Sequence, residues 1–328
     1  MSGRSCVRGR FPGMEKLDMK NDSAATTAPA GASHSAAPRM DPRLRPSLAS
    51  PCCLAPLDDA SSDLVCTACD RRFPFVAGVP VLLRDVPPEW LSQTEAKVRF
   101  AKRPEWWRRL LYPRPTTEGH QRRRLRQFVG ALPPSALIVD LGSSLRRLSP
   151  NIVCLDLIPT PGVDLVGDLH RIPLRADALD AIICTGVLEH VEDPNRVLEE
   201  FRRVLRPGGQ IYASLPFLQG YHPSPTDFRR FTRDGARQLF SRFQIDQLVN
   251  TRGSASTVTW ILSVFLAELV SFNRPRWYVL ARAFFGWILM PIKYLDYLIA
   301  GNAFDHYITS GFTVVAHKPV EAGRERGA

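Results

Sequence analysis

At 328 residues, 45% hydrophobic and 23% charged, the chain is long enough for one large domain or two smaller ones and has an ordinary globular composition. Its formal net charge of +11 leans towards anionic partners: nucleic acid, lipid headgroups or an acidic metabolite. Seven scattered cysteines and an N-terminus without an apolar core argue against a disulfide framework and a secretory signal, and fit a reducing cytoplasm.

Residues 1–45 are rich in Ser, Ala, Pro, Gly and Arg and are expected to be disordered, with Met14, Met19 and Met40 as alternative starts. Residues 46–86 read as a compact unit: a Cys52-Cys53 pair, then Cys66-Thr-Ala-Cys69, then the apolar run Phe73–Leu83. This resembles a small zinc-ribbon family with two paired-cysteine turns and a closing G-I-P-V-L-L strand. In that family four thiolates meet around one tetrahedral zinc. Here Ser50 occupies the place of the first cysteine, so the resemblance implies Cys53, Cys66 and Cys69 as ligands, with Cys52 reorienting as the fourth. The other reading is a ribbon without metal, standing on its apolar strand. Residues 87–133 form a basic connector carrying Trp90, Trp106, Trp107 and Arg122–Arg126. Its aromatics and arginines suit either nucleic-acid stacking or, as we prefer, a helical lid on the next domain.

From 134 to 253 short apolar strands alternate with amphipathic segments, the pattern of a parallel α/β sheet. Strands are expected near 136–141, 152–156, 162–166, 180–184, 209–215 and 243–249. A helix over Pro194–Leu205 carries the stripe Val197, Leu198, Phe201, Val204 and Leu205, and stops at Pro207-Gly-Gly. A last strand, Gly311–His317, within residues 309–320, would pair antiparallel with 243–249; residues 321–328 are a tail. The ordered series Asp140-Leu-Gly142, Asp156, Gly167-Asp168, Val187-Leu-Glu189-His190-Val191 and Leu205-Arg-Pro-Gly-Gly209 resembles the class I S-adenosylmethionine (SAM)-dependent methyltransferases. The expected fold class is therefore α/β: a Rossmann-like sheet with a small N-terminal ribbon and an α-helical insertion.

That resemblance implies cofactor contacts at Asp140, Gly142 and Ser144 after the first core strand, and Asp156 on the ribose hydroxyls. It puts Asp168 and Leu169 at the adenine, and Thr185 with Gly186 at the methionine end. The loop after Asp140 keeps only the first glycine of the family's G-x-G-x-G, and the short interval to Asp156 implies a curtailed first helix. A nicotinamide Rossmann enzyme would need G-x-G-x-x-G there and is set aside. The tract from Tyr221 to Thr232 supplies His222 as a base or acceptor-orienting group. Asp227 is either its partner or the ion-pair partner of Arg230. His190 either shapes the pocket or is structural.

Residues 254–308 form an apolar, aromatic-rich insertion interrupted by Glu268, Arg282, Pro291, Lys293 and Asp296. Neither half is expected to span a membrane. It reads as a helical cap or as an amphipathic pair resting on the inner face of a membrane. The leading function is methyl transfer to a small or lipid-linked metabolite. The alternatives are an RNA methyltransferase and a non-catalytic scaffold.

Overall fold

The computed structural model describes residues 40–60, 63–85, 116–117, 119–143, 147–223, 226–299 and 301–320. The expectations for residues 1–39, for the connector's tryptophans, for Ser144 and for the tail 321–328 lie outside them.

Seven strands build the core sheet: β5 (Ile138–Leu141), β6 (Ile152–Asp156), β7 (Leu165–Gly167), β8 (Leu179–Thr185), β9 (Leu205–Pro216), β10 (Gln244–Asn250) and β11 (Gly311–His317). Their order is β7-β6-β5-β8-β9-β11-β10. The first five run parallel, and β11 lies antiparallel between β9 and β10. Every residue of β5, β6 and β7 is buried, which is why these strands read as unbroken apolar runs rather than as alternation. The predicted helix forms as α2 (Pro194–Val204). Asp193 caps it by accepting from the amides of Asn195 and Arg196, and Pro194 opens its first turn. Its face of Val197, Leu198, Phe201 and Val204 packs into the core. The turn expected at Pro207-Gly-Gly is instead the start of β9. Leu205 is already extended and pairs with Leu179, with a register shift before Ala181.

The ribbon is continuous with this sheet rather than a module on a tether. Strands β1 (Leu57–Ala60), β2 (Asp63–Cys66), β3 (Arg72–Val76) and β4 (Val79–Leu82) form antiparallel hairpins. β4 then pairs parallel with β7, Val81 opposite Val166 and Leu82 opposite Gly167, so the edge of the core sheet is covered. The chain just before the ribbon also packs. Leu44 and Leu48 are fully buried and Leu48 bridges to Leu174, which corrects the expectation of disorder up to residue 45 for its last few residues.

Helix α1 (Gly119–Gly130) forms within the basic connector. Phe128 packs with Ile138, Ile152, Ala181, Ile183 and Tyr212, and Arg124 donates to the Asn250 carbonyl at 2.6 Å, while Arg122, Arg123 and Arg126 are exposed. The short interval implies a curtailed first helix, and among the described residues no helix forms between β5 and β6.

The insertion is a helical hairpin, α4 (Ser254–Ser271) and α5 (Pro275–Leu289), after the short α3 (Arg233–Leu239). It is patterned inside out. Ser256, Thr259, Ser263, Ala267 and Ser271 of α4 are buried, whereas Val258, Ile261, Phe265 (56% exposed) and Leu269 (65% exposed) face outward. The buried hydroxyls are satisfied locally, Thr259 by the Ala255 carbonyl, and Arg282 of α5 donates to Ser263 Oγ at 2.6 Å. Both Ser254–Ser271 and Pro275–Ile299 are long and apolar enough to cross a membrane by length and composition, with mean hydropathies of 1.4 and 1.2.

Candidate active site

The strand order reverses between β5 and β8, and in such sheets ligands bind beyond the carboxyl ends of the strands at that switch. A cleft of about 340 Å³ opens there. Asp140, the penultimate residue of β5, lines it. Gly142, at φ +69°, turns the chain, and its amide donates to the Leu155 carbonyl at 2.8 Å. A side chain at Gly142 would lie 2.5 Å from Val187 Cγ2, so the close approach requires glycine. Thr185 ends β8 and Gly186 follows it, left-handed at φ +70°; both line the cleft. Ser143, beside Gly142, lines the cleft with a buried hydroxyl that has no hydrogen-bond partner among the described residues. That orphan fits a polar ligand group.

Thus the structure brings Asp140, Gly142, Thr185 and Gly186 together. Asp156, Asp168 and Leu169 stand outside the cleft's described lining. Asp156 ends β6, buried, and its Oδ1 accepts from the Ile158 amide at 3.1 Å. Asp168 caps a short turn by accepting from the His170 amide, at 2.9 Å, and approaches its ring Nδ1 at 3.0 Å. Burial pushes its carboxyl up, but the His170 hydrogen bonds outweigh this and hold it below its usual value. Leu169 packs in the main core.

The far wall belongs to the loop after β9. Asp227 is gripped by both guanidinium nitrogens of Arg230, which holds its carboxyl well below the usual range. Arg230 also donates to the carbonyls of Gln219 and Gly220, closing the loop. Asp227 accepts from the His222 backbone amide at 2.9 Å but lies 3.6 Å from the ring. The ion-pair reading of Asp227 is therefore the one its geometry favours. The carboxylate facing His222 Nε2 is Glu189, 1% exposed, at 3.6 Å, and it raises the imidazole above its ordinary value. His190 stands edge-on to His222 with ring centroids 5.2 Å apart, and Trp260 of α4 lies on the other side of His222. Glu189 and Arg252 are lining residues the sequence reading missed. The signal for Glu189 was an acid inside the apolar run Val187–Val191.

In the ribbon, the Sγ atoms of Cys52, Cys53, Cys66 and Cys69 all lie within 4.8 Å of one another, with Cys52 and Cys69 3.4 Å apart. Tetrahedral zinc would space four sulfurs about 3.8 Å apart, so this donor set fits the metal. Cys52 is thus oriented as the fourth member. Ser50 is buried beside the cluster, accepting from the Ala55 amide and lying 3.2 Å from Cys66 Sγ. Burial raises the Cys66 thiol, but Ser50 and nearby amides outweigh it and bring it down to about 6; Cys53, hydrogen-bonded to Cys69 and Cys52, is pushed up to about 12.

Residues 145–213 match the "Methyltransferase domain" family. The chain is 28% identical over 183 residues to malonyl-[acyl-carrier protein] O-methyltransferase of Methylococcus capsulatus, covering 44% of this chain and 66% of that protein. It is 36% identical over 86 residues to an uncharacterized 37.1 kDa protein in a transposon of Streptomyces fradiae, covering 26% and 25%. Among solved structures it is similar to geranyl diphosphate C-methyltransferase from Streptomyces coelicolor, at 13% identity and a TM-score of 0.38 over 61% of this chain and 76% of that one. The chain spans between a quarter and about two thirds of the length of these curated relatives. The matched stretch runs from the loop after β5 to the middle of β9, the segment that supplies the cleft's β8 wall, and the chain carries a class I SAM-dependent methyltransferase domain.

Proposed function

We propose that this chain transfers a methyl group from SAM to a small or lipid-linked metabolite. The observation that carries the proposal is the cleft at the β5–β8 switch, with its left-handed Gly142 and orphaned Ser143 hydroxyl on one side and His222 with Glu189 on the other. When bound, SAM supplies an electrophilic methyl group. Asp140, Gly142, Ser143, Thr185 and Gly186 are the residues that would hold it, with Asp156 proposed for the ribose hydroxyls and the exposed half of Asp168 for the adenine amine. His222 orients the acceptor and its proton, and the Asp227–Arg230 pair holds His222's loop in place. Most of the acceleration in such a displacement comes from alignment, which a stapled loop favours. In the ribbon, Cys52, Cys53, Cys66 and Cys69 would hold a structural zinc.

The insertion supports the lipid half of this reading. Small hydroxylic residues inside a helix pair and large apolar ones outside is the arrangement of helices in lipid, not in water. Contiguous exposed apolar surface of this kind marks an interaction site. The hairpin is rooted at the cleft, where Trp260 flanks His222. We therefore place the hairpin at a membrane surface, delivering or retaining an apolar acceptor. Flotation with anionic phospholipid vesicles should carry the protein, and the double substitution Phe265→Asp, Leu269→Asp should cut the bound fraction about tenfold or more. Equal flotation of the variant would remove the membrane from the account.

The acceptor class is tested by transfer of a tritiated methyl group from SAM to three pools: extracted lipid, small metabolites and bulk RNA. Label in lipid or small metabolites supports the proposal. Label in RNA, falling steeply with salt, would replace it with the RNA reading. No label from folded protein in any pool would favour the scaffold.

A further inference from the structure

We propose that Glu189, His190 and His222 hold a divalent transition-metal ion at the acceptor end of the cleft. One ligand atom from each lies within 4.8 Å of the others. His222 Nε2 is 3.6 Å and His190 Nε2 3.9 Å from Glu189 Oε1. Ligand atoms around one such ion stand about 3 to 3.5 Å apart, so each histidine would close on Glu189 by roughly half an ångström.

The hydrogen bonds behind the rings point the same way. His222 Nδ1 lies 2.9 Å from the Gly220 carbonyl, and His190 Nδ1 meets the Thr226 carbonyl. A carbonyl only accepts, so each Nδ1 carries a proton, and Nε2 is the ring atom left to face Glu189. Metal-binding histidines are held in this way, the second ring nitrogen donating to a carbonyl or carboxylate. Arg230 Nη2 also comes within 3.3 Å of His222 Nδ1, but it already donates to the Gly220 carbonyl and to Asp227 Oδ2. Both rings thus turn Nε2 towards the Glu189 carboxylate. Glu189 Oε2 is buried with no hydrogen-bond partner among the described residues, a deficit that a cation would remove.

Two imidazoles and one carboxylate on one side of an ion leave its remaining positions open. Here these face the cleft. An acceptor oxygen bound there would be fixed, and made more acidic, beside the methyl donor's residues. This last step rests on the methyltransferase reading; the metal site does not.

The test is absorption titration of metal-free, full-length protein with Co²⁺. Cobalt on the ribbon cysteines is marked by intense thiolate charge transfer, which imidazole and carboxylate ligands do not produce. The expected result is a saturable visible cobalt band without that charge transfer, its affinity falling about tenfold or more in Glu189→Gln and in His222→Asn. Near-ultraviolet circular dichroism checks each variant's fold, and His190→Asn replaces any variant that fails. Cobalt bands that all carry charge transfer, or a cleft band unchanged in the variants, would overturn the proposal. SAM calorimetry on the same preparation separates the two claims. SAM binding without the cleft band overturns the metal site alone, while the cleft band without SAM binding supports the metal site and overturns the methyltransferase reading.

Discussion

Gly142→Ala is expected to weaken SAM binding about tenfold or more, about 1.4 kcal/mol, and to lower the unfolding free energy by about 1–3 kcal/mol. The backbone at Gly142 has φ +69°, where a Cβ alone costs about 1–2 kcal/mol. The new methyl would also sit 2.5 Å from Cγ2 and 3.1 Å from Cγ1 of Val187. Valine has few ways to turn aside, so the residue itself must shift. Val187 begins the Val187–Val191 segment that carries Glu189 and His190 in the cleft wall, and the strain is thus passed into the site. Gly162→Ala is the control. Gly162 is also left-handed, at φ +100°, but its added methyl would meet nothing within 4 Å and it does not line the cleft. It should lose stability and keep wild-type SAM affinity. Calorimetry and thermal melts on both variants check this. Equal SAM affinity in the two would mean that the β5 turn does not contact the cofactor.

The second large effect lies at Asp296. This buried carboxylate accepts from the Ala255 amide at 2.9 Å, the Ser256 amide at 3.2 Å, the Ser256 hydroxyl and the Thr117 hydroxyl at 3.0 Å. It ties together the start of α4, the end of the insertion and the chain leading into α1. A negative group at a helix N-terminus also meets the positive end of the helix dipole. Asp296→Ala strands these donors in a buried site, and the expected loss is about 3–5 kcal/mol. Asp296→Asn keeps one acceptor oxygen and should lose less. Gly253 gives an independent approach to the same point, because a methyl there would fall 2.1 Å from Asp296 Oδ1. Denaturant melts of the three variants should rank Asp296→Asn as the mildest. An Asp296→Ala protein within about 0.5 kcal/mol of wild type would show that the insertion is not anchored here.

Much of the sheet was legible because parallel strands buried on both faces leave a plain mark. Ile138–Leu141, Ile152–Asp156 and Leu179–Thr185 are runs of apolar residues with acids or small residues at their ends. Helix α2 was equally plain, since cap, first-turn proline and apolar stripe all agree. The insertion was harder. Its apolar residues were visible, but periodicity does not say which face turns inward, and here the hydroxyl face does. Leu44 was obscured by the low-complexity composition around it, and its burial depends on a distant segment near Leu174. The same holds for the site. Asp140, Gly142, Thr185 and Gly186 sit at strand ends, and strand ends can be read from sequence. The pairing of His222 with Glu189 cannot, because it depends on how the loop after β9 folds back over β8, and that fold is set by Arg230. Sequence proximity suggested Asp227 instead, which Arg230 already holds.

SAM is proposed to bind in the cleft at the β5–β8 switch. Calorimetric titration of the full-length protein with SAM tests it most directly. Saturable binding at one site per chain is expected, weakened in Asp156→Ala as well as in Gly142→Ala. A well-folded wild-type protein that takes up no SAM would contradict it and leave a methyltransferase fold serving as a scaffold.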